Sequence, residues 1–299
     1  MRSSERRRAR SRSQGVRKTY GEDGVLDGID LTVHDNEVLL LMGPNGTGKT
    51  VLLECLAGST DPTAGEVRVF GDPVREDGGQ SLSLLLQGGA SVDSLSGRET
   101  AAFYADLHPS FTDRWRDIVA DLGLAEALDK RTKYYSEGMK RKLELALALA
   151  VDAPLYLLDE PTAGVDLSMV QSFHRAIRER VDDGAAVVVT THRPVDAELA
   201  DRIAFVDDGR VTATGSPADL LDGVPSVLRI VGAGATTDAL EEYVVGDLFY
   251  HGDERRGFLR EDATVADVDA AAGDATVETV EPSYTDAFNY YVHARSTNE

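Results

Sequence analysis

The sequence predicts an α/β fold, and three stretches carry that prediction. Residues 38–42 (VLLLM) form a short, unbroken apolar run that leads straight into GPNGTGKT at residues 43–50. A second run, LYLL at 155–158, ends in the acidic pair Asp159 and Glu160, and a third, AAVVVTTH, ends at His192. Apolar runs of this length without alternation read as strands covered on both faces, so helices must flank the sheet they form.

The remaining elements follow in order. Residues 16–42 alternate short apolar runs with turns such as GEDG at 21–24. After the glycine-rich loop, TVLLECLAG supplies a helix that stops near Gly58, and GEVRVFG reads as another short strand. From Ser94 to about Leu149 charged and apolar residues recur at helix spacing, with breaks near Pro109 and Ser136. A helix from about Met169 to Val181 and the hairpin-like IAFVDDGRVTATG complete a core that ends between 215 and 221. Residues 225–299, rich in Gly, Asp and Thr between short strands, read as a small accessory α+β domain. There is no internal repeat.

Composition narrows the class. Fifty-two acidic against 31 basic side chains give a formal charge of −21. Such a surface keeps a protein soluble and names no partner, although carboxylates this dense also fit adaptation to very high salt in a halophilic organism, where screening relieves their repulsion. No specific nucleic-acid partner is expected. The first 18 residues run the other way, with eight Arg or Lys against Glu5, and residues 1–15 read as a basic, disordered arm. No apolar h-region follows, so the arm is not a secretory signal, and no window is long and apolar enough to span a membrane. The single cysteine, Cys55, implies no disulfide framework.

GPNGTGKT fits the full GxxxxGK[ST] pattern. Its glycines, Gly43, Gly46 and Gly48, let backbone N–H groups converge on phosphate oxygens beside Asn45 and Thr47. Lys49 reaches the β and γ phosphates, and Thr50 can place its hydroxyl on Mg2+. The helix that starts there adds its positive end. Asp159 supplies a metal ligand, while Glu160 can polarise a water toward the γ-phosphate. His192 is placed to sense that phosphate. Gln87, in SLSLLLQGG, can touch the water or Mg2+ while moving with a neighbouring element. A histidine or glutamine at a strand end is also often bland, so these two rest on their company.

The ordered set RKTYG, GPNGTGKT, LLLQGG, YSEGM, LLDEP, GVD at 164–166 and TTH at 190–192 resembles the nucleotide-binding subunit of an ATP-binding cassette (ABC) transporter, over about residues 16–221. The resemblance implies a P-loop core of ABC ATPase type with an antiparallel β subdomain and a helical subdomain at about 94–149. It implies that Tyr20 stacks on adenine, that Asp166 lies at the nucleotide, and that YSEGM is the signature loop usually written LSGGQ. Ser136 and Gly138 would then face ATP held by the opposite subunit. A phosphate cradled by residues 43–50 cannot also sit at 136–138 of the same chain, so a head-to-tail homodimer or heterodimer with two shared sites is expected. Tyr135, Glu137 and Met139 depart from the commonest Leu, Gly and Gln. Glu137 places a carboxylate near incoming phosphates, which Lys140 and Arg141 are expected to offset. YSxGM signatures resemble the drug-export and natural-product-export branch, and EPSYTDAFNYYV at 281–292 resembles the segment that closes many such ATPases. Export through a separate membrane permease, from the cytoplasmic face, is the function implied. A soluble ATP switch of the same cassette type remains the alternative.

Overall fold

The computed structural model describes residues 9–74, 81–87, 92–232, 237–251 and 254–294. The chain divides into two compact units, Met1–Val211 and Thr212–Glu299.

In the first unit the three apolar runs are strands, β3 (Val38–Met42), β7 (Leu155–Asp159) and β8 (Ala186–Thr191), and every residue in them is buried. With β6 (Leu82–Leu85) and β9 (Arg202–Asp207) they form a parallel block in the order β9-β3-β8-β7-β6, and β10 (Arg210–Gly215) flanks β9. Parallel register aligns their ends. Met42 lies opposite Thr191, and Asp159 opposite Thr190, so the loop after β3, the acidic pair and His192 all emerge at one edge. That carboxyl edge is where open α/β sheets bind ligands.

A second sheet, β2-β1-β4-β5, is antiparallel and comprises β1 (Ala9–Tyr20), β2 (Asp23–His34), β4 (Ala64–Val69) and β5 (Asp72–Pro73). Its inward residues Val16, Leu26, Ile29, Val67 and Val69 share one core with Leu39, Leu41, Leu157 and Val188 and with helix α1 (Lys49–Leu56). Each such side chain contributes about 1.5–3 kcal/mol on burial. β1 corrects the expected disordered arm. Residues 9–14 already pair with β2 and β4, with Ser11 and Ser13 turned inward and Arg12 between them facing out. Residues 1–8 of that expectation lie outside the described residues.

Helices α2 (Gly97–Leu107), α3 (Trp115–Asp121) and α4 (Glu137–Ala150) follow β6. Ser96 and Glu99 close a capping box on α2, and Ser136 caps α4 by accepting from Met139 N. Helix α5 (Leu167–Asp182) leads from the acidic turn back to β8.

The second unit has its own core. Strands β11 (Val227–Val231), β12 (Val244–His251), β13 (Glu254–Leu259) and β14 (Thr276–Val280) form an antiparallel sheet in the order β12-β13-β11-β14. Helices α7 (Thr237–Glu241) and α8 (Val265–Ala271) complete the β-α-β-β-α-β chain order of the split βαβ motif. Leu228, Ile230, Leu240, Val244 and Val268 pack one of its cores. The closing segment forms helix α9 (Tyr284–Asn289), capped by Ser283 and Asp286, with Ala287 and Tyr291 buried. The division falls at Val211/Thr212, within β10, ahead of the 221–225 junction expected from composition, and helix α6 (Pro217–Asp222) follows it.

Candidate functional site

Residues 43–50 leave the carboxyl end of β3 and turn into α1, and two glycines fix the turn. A Cβ on Gly43 would stand 2.0 Å from the carbonyl oxygen of Val206. Gly48 takes φ +93, and a Cβ there would stand 2.7 Å from the carbonyl oxygen of Val25. Only glycine fits either place. Gly46 also has a left-handed backbone, but open space surrounds its Cβ position, and it lines a cleft of about 380 Å3.

That cleft is lined by Val25, Asn45, Gly46, Gly48, Lys49, Thr50, Val51, Gln87 and Glu160. Lys49 is only 5% exposed and its Nζ donates to the carbonyls of Gly43 (2.8 Å) and Pro44 (2.6 Å). Burial pushes the ammonium pKa down, and the carboxylates of Glu160 and Asp159 oppose the shift. Thr47 closes the loop from inside, donating its hydroxyl to Pro44 O at 3.0 Å. Thr50 donates its hydroxyl to Asp159 Oδ2 at 3.0 Å, and the buried Asp159 also accepts from Thr190. A hydroxyl touching a carboxylate is an oxygen donor set of the kind Mg2+ takes, so these residues fit the ion.

Glu160 is the centre of the arrangement. It is 9% exposed and adopts φ +45, a left-handed conformation held by its N–H donating to Thr190 Oγ1 at 3.0 Å. One carboxylate oxygen pairs with His192 Nδ1 at 2.9 Å, and the other accepts from Gln87 Nε2 at 3.1 Å. A carboxylate accepts, so Nδ1 donates this hydrogen bond.

The structure thus brings together Gly43, Asn45, Gly46, Thr47, Gly48, Lys49, Thr50, Gln87, Asp159, Glu160 and His192. Tyr20, Ser136, Gly138 and Asp166 do not line this cleft. Tyr20 is half exposed, with Lys18 Nζ 4.8 Å above its ring. Ser136 and Asp166 are exposed helix caps, and a Cβ on Gly138 would lie 3.7 Å from Gly164 O, so the turn at 136–138 rests beside the 164–166 loop.

Known proteins resemble this chain in sequence and in fold. A family profile described as ABC transporter matches residues 26–163, and one described as an AAA domain, putative AbiEii toxin, matches 132–195. The chain is 37% identical over 231 residues to a daunorubicin resistance ATP-binding protein, DrrA3, of Streptomyces coeruleorubidus, covering 73% of each chain. The chain belongs to the ABC transporter ATP-binding family. It is also 32% identical over 216 residues to the Nod factor export ATP-binding protein I of a Rhizobium strain, covering 70% of this chain and 71% of that one. Among solved structures, the ATP-binding subunit of an ABC transporter superposes with a TM-score of 0.65 at 21% identity, covering 71% of this chain and 92% of that one. A bacterial ABC transporter cassette solved as a dimer superposes at 0.63 with 23% identity, covering 69% and 98%. At these identities the structures speak to the fold alone. This ABC subunit is an ATP-binding, ATP-hydrolysing component of a transporter that works with a membrane permease. Among the described residues no helix is long and apolar enough to cross a membrane.

Two residues of this ABC subunit have roles that the sequence reading does not give. Arg141, expected to offset Glu137, instead turns inward at 5% exposure and donates to the carbonyls of Asp159, Glu160 and Pro161. Lys140 pairs with Asp93 at 3.6 Å, so neither cation stands over the exposed Glu137. The second is Asp196, 1% exposed, which accepts from Thr162 (2.8 Å) and Thr191 (2.6 Å) and meets His174 Nε2 at 2.9 Å. Burial raises its pKa, but the His174 and threonine hydrogen bonds outweigh that and hold it below the usual carboxylate value. Thr162 and Thr191 flank Glu160 and His192, so Asp196 joins the two segments that carry them. The Tyr135 departure also has a physical fit. Its hydroxyl donates to Ala127 O at 2.7 Å, in a space that a Cβ on Gly97 would invade at 2.5 Å.

Proposed function

We propose that two copies of this chain, or this chain and a related partner, close head to tail around ATP, and that closure and reopening drive export through a separate permease at the cytoplasmic face of the membrane. The observation that carries this reading is the carboxylate of Glu160 held between Gln87 and His192 at the cleft wall. Residues 43–49 bind the phosphates with backbone N–H groups and the Lys49 ammonium. Thr50 and Asp159 would hold Mg2+, with Gln87 beside them, and the ion supplies charge neutralisation for phosphoryl transfer. Glu160 orients and accepts a proton from the attacking water at a carboxylate oxygen. His192 fixes the Glu160 rotamer through Nδ1 and offers Nε2 to the γ-phosphate. Tyr20 stacks on the adenine.

Ser136 and Gly138 serve the partner's nucleotide, with Asp166 beside them. The exposure of Ser136 and Asp166, with Gly138 half-buried, at a capped helix start outside the chain's own cleft supports that assignment. The names of the relatives, daunorubicin and doxorubicin resistance and Nod factor export, favour an amphipathic natural product as cargo.

Co-expression with the permease and replacement of Glu160 by Gln tests the reading. Light scattering should show ATP-dependent dimers that persist with little phosphate release. Wild-type turnover by that variant, or no association on adding ATP, refutes the proposal.

A further inference from the structure

Arg141 is a full positive charge in the interior, one turn along α4 from the Ser136–Gly138 cap. Its guanidinium serves acceptors from three separate segments. Nη2 donates to the carbonyls of Asp159 and of Glu160 (2.6 Å for the latter), and Nε donates to Pro161 O at 3.2 Å. Nη1 reaches Leu86 O at 3.5 Å, next to Gln87, and Glu144 Oε2 at 3.1 Å on the same helix. Glu144 is itself buried and balances the charge. A buried charge is tolerable only when its hydrogen-bonding capacity is met, and here three consecutive main-chain carbonyls meet it.

Those carbonyls belong to the turn in which Glu160 takes φ +45. A non-glycine residue in that region persists only where its surroundings over-determine it. The guanidinium fork spans 159–161 from one side while Thr190 holds Glu160 N–H from the other. Lysine could not reproduce this, because its donors radiate from one nitrogen.

We infer that Arg141 is a positioning residue that makes α4 and the 159–161 turn one rigid piece, so that the helix start facing the partner's ATP and the carboxylate acting on the chain's own ATP move together. This rests on the shared-site dimer proposed above. A nucleotide engaging Ser136 and Gly138 then biases the geometry of Glu160 in the same chain, which makes the two hydrolytic events interdependent.

The test uses the full chain with Arg141→Met, Arg141→Lys and, as a separate control, Glu160→Gln. Arg141→Lys keeps a charge against Glu144, so it remains informative where the methionine variant does not fold. Three readouts are taken: Kd for a fluorescent ATP analogue in the isolated chain, kcat, and the Hill coefficient of hydrolysis against ATP. Arg141→Lys should leave Kd within about twofold, lower kcat about tenfold or more, and bring a Hill coefficient above unity down toward unity. Unchanged kcat and Hill coefficient overturn the inference, as does a parallel loss of Kd, kcat and Tm, which would mark a purely structural role. Trapping of ATP-dependent dimers by Glu160→Gln keeps the dimer reading standing in either case, and its failure to trap them would remove the dimer reading itself.

Discussion

Replacing Asp196 by alanine should destabilise the ATPase unit by about 3–5 kcal/mol. The carboxylate is 1% exposed and satisfies three buried partners, the hydroxyls of Thr162 and Thr191 and the ring of His174. Each donor left without an acceptor in the interior costs roughly 1–3 kcal/mol, and the lower part of that range applies to hydroxyls that can rotate toward other acceptors. For a domain of this size about 2–4 °C of Tm is lost per kcal/mol, which places the drop near 10 °C. Asp196→Asn keeps the shape and one acceptor oxygen, so it should fall between alanine and wild type. The sign of the pH dependence follows from the depressed pKa. In the unfolded chain the group titrates near 3.8, and in the folded chain below it. The stabilisation is therefore fully present above about pH 4 and is lost as pH falls through the folded value. Thermal unfolding of wild type and Asp196→Ala at neutral pH and below pH 4 checks both statements. A Tm change under about 2 °C at neutral pH, or a gap between the two proteins that widens on acidification, refutes the reasoning.

Other substitutions probe the loop and the helix start. Gly48→Ala should abolish binding of a fluorescent ATP analogue, since a methyl at φ +93 meets Val25 O at 2.7 Å and the loop must open to hold it. Ser136→Ala should lower turnover about tenfold while analogue binding to the isolated chain stays unchanged; equal losses in both would place the residue at its own nucleotide. The Cys55 thiol is buried and its pKa is pushed up to about 11, so at pH 8 roughly one molecule in a thousand carries the thiolate. Native protein should then resist maleimide for hours and label at once in urea. With a formal charge of −21, Tm should rise between dilute buffer and molar KCl; a flat profile would count against salt adaptation.

The parallel core could be read from the chain because strands buried on both faces leave no alternation to misread. VLLLM, LYLLD and AVVVTT were each placed within a residue or so of their ends. The loop chemistry was equally legible, since its motif states the backbone it needs. Arginine density masks the strand in the amino-terminal arm, where Ser11 and Ser13 turn inward and a register shift after Ser13 brings Val16 to the same face. Small polar residues facing a core give almost no hydropathy signal. Arg141 reads with Lys140 as a surface cation opposite Glu137, whereas it turns inward. The one available clue was an Arg and a Glu three apart in LELALALA-type apolar text, the mark of an ion pair inside a buried helix. Asp196 left no trace in the sequence, because its partners lie 5, 22 and 34 residues away in the chain.

The fit of Tyr135 against Gly97 ties two distant positions into one inheritable unit. A methyl at the second would displace the tyrosine hydroxyl from its place at Ala127 O, and it would also press on Leu128, whose Cδ2 and carbonyl oxygen would stand 3.1 and 3.3 Å away. Relatives with tyrosine at the first position should therefore keep glycine at the second, whereas phenylalanine, without the hydroxyl, lifts that one constraint.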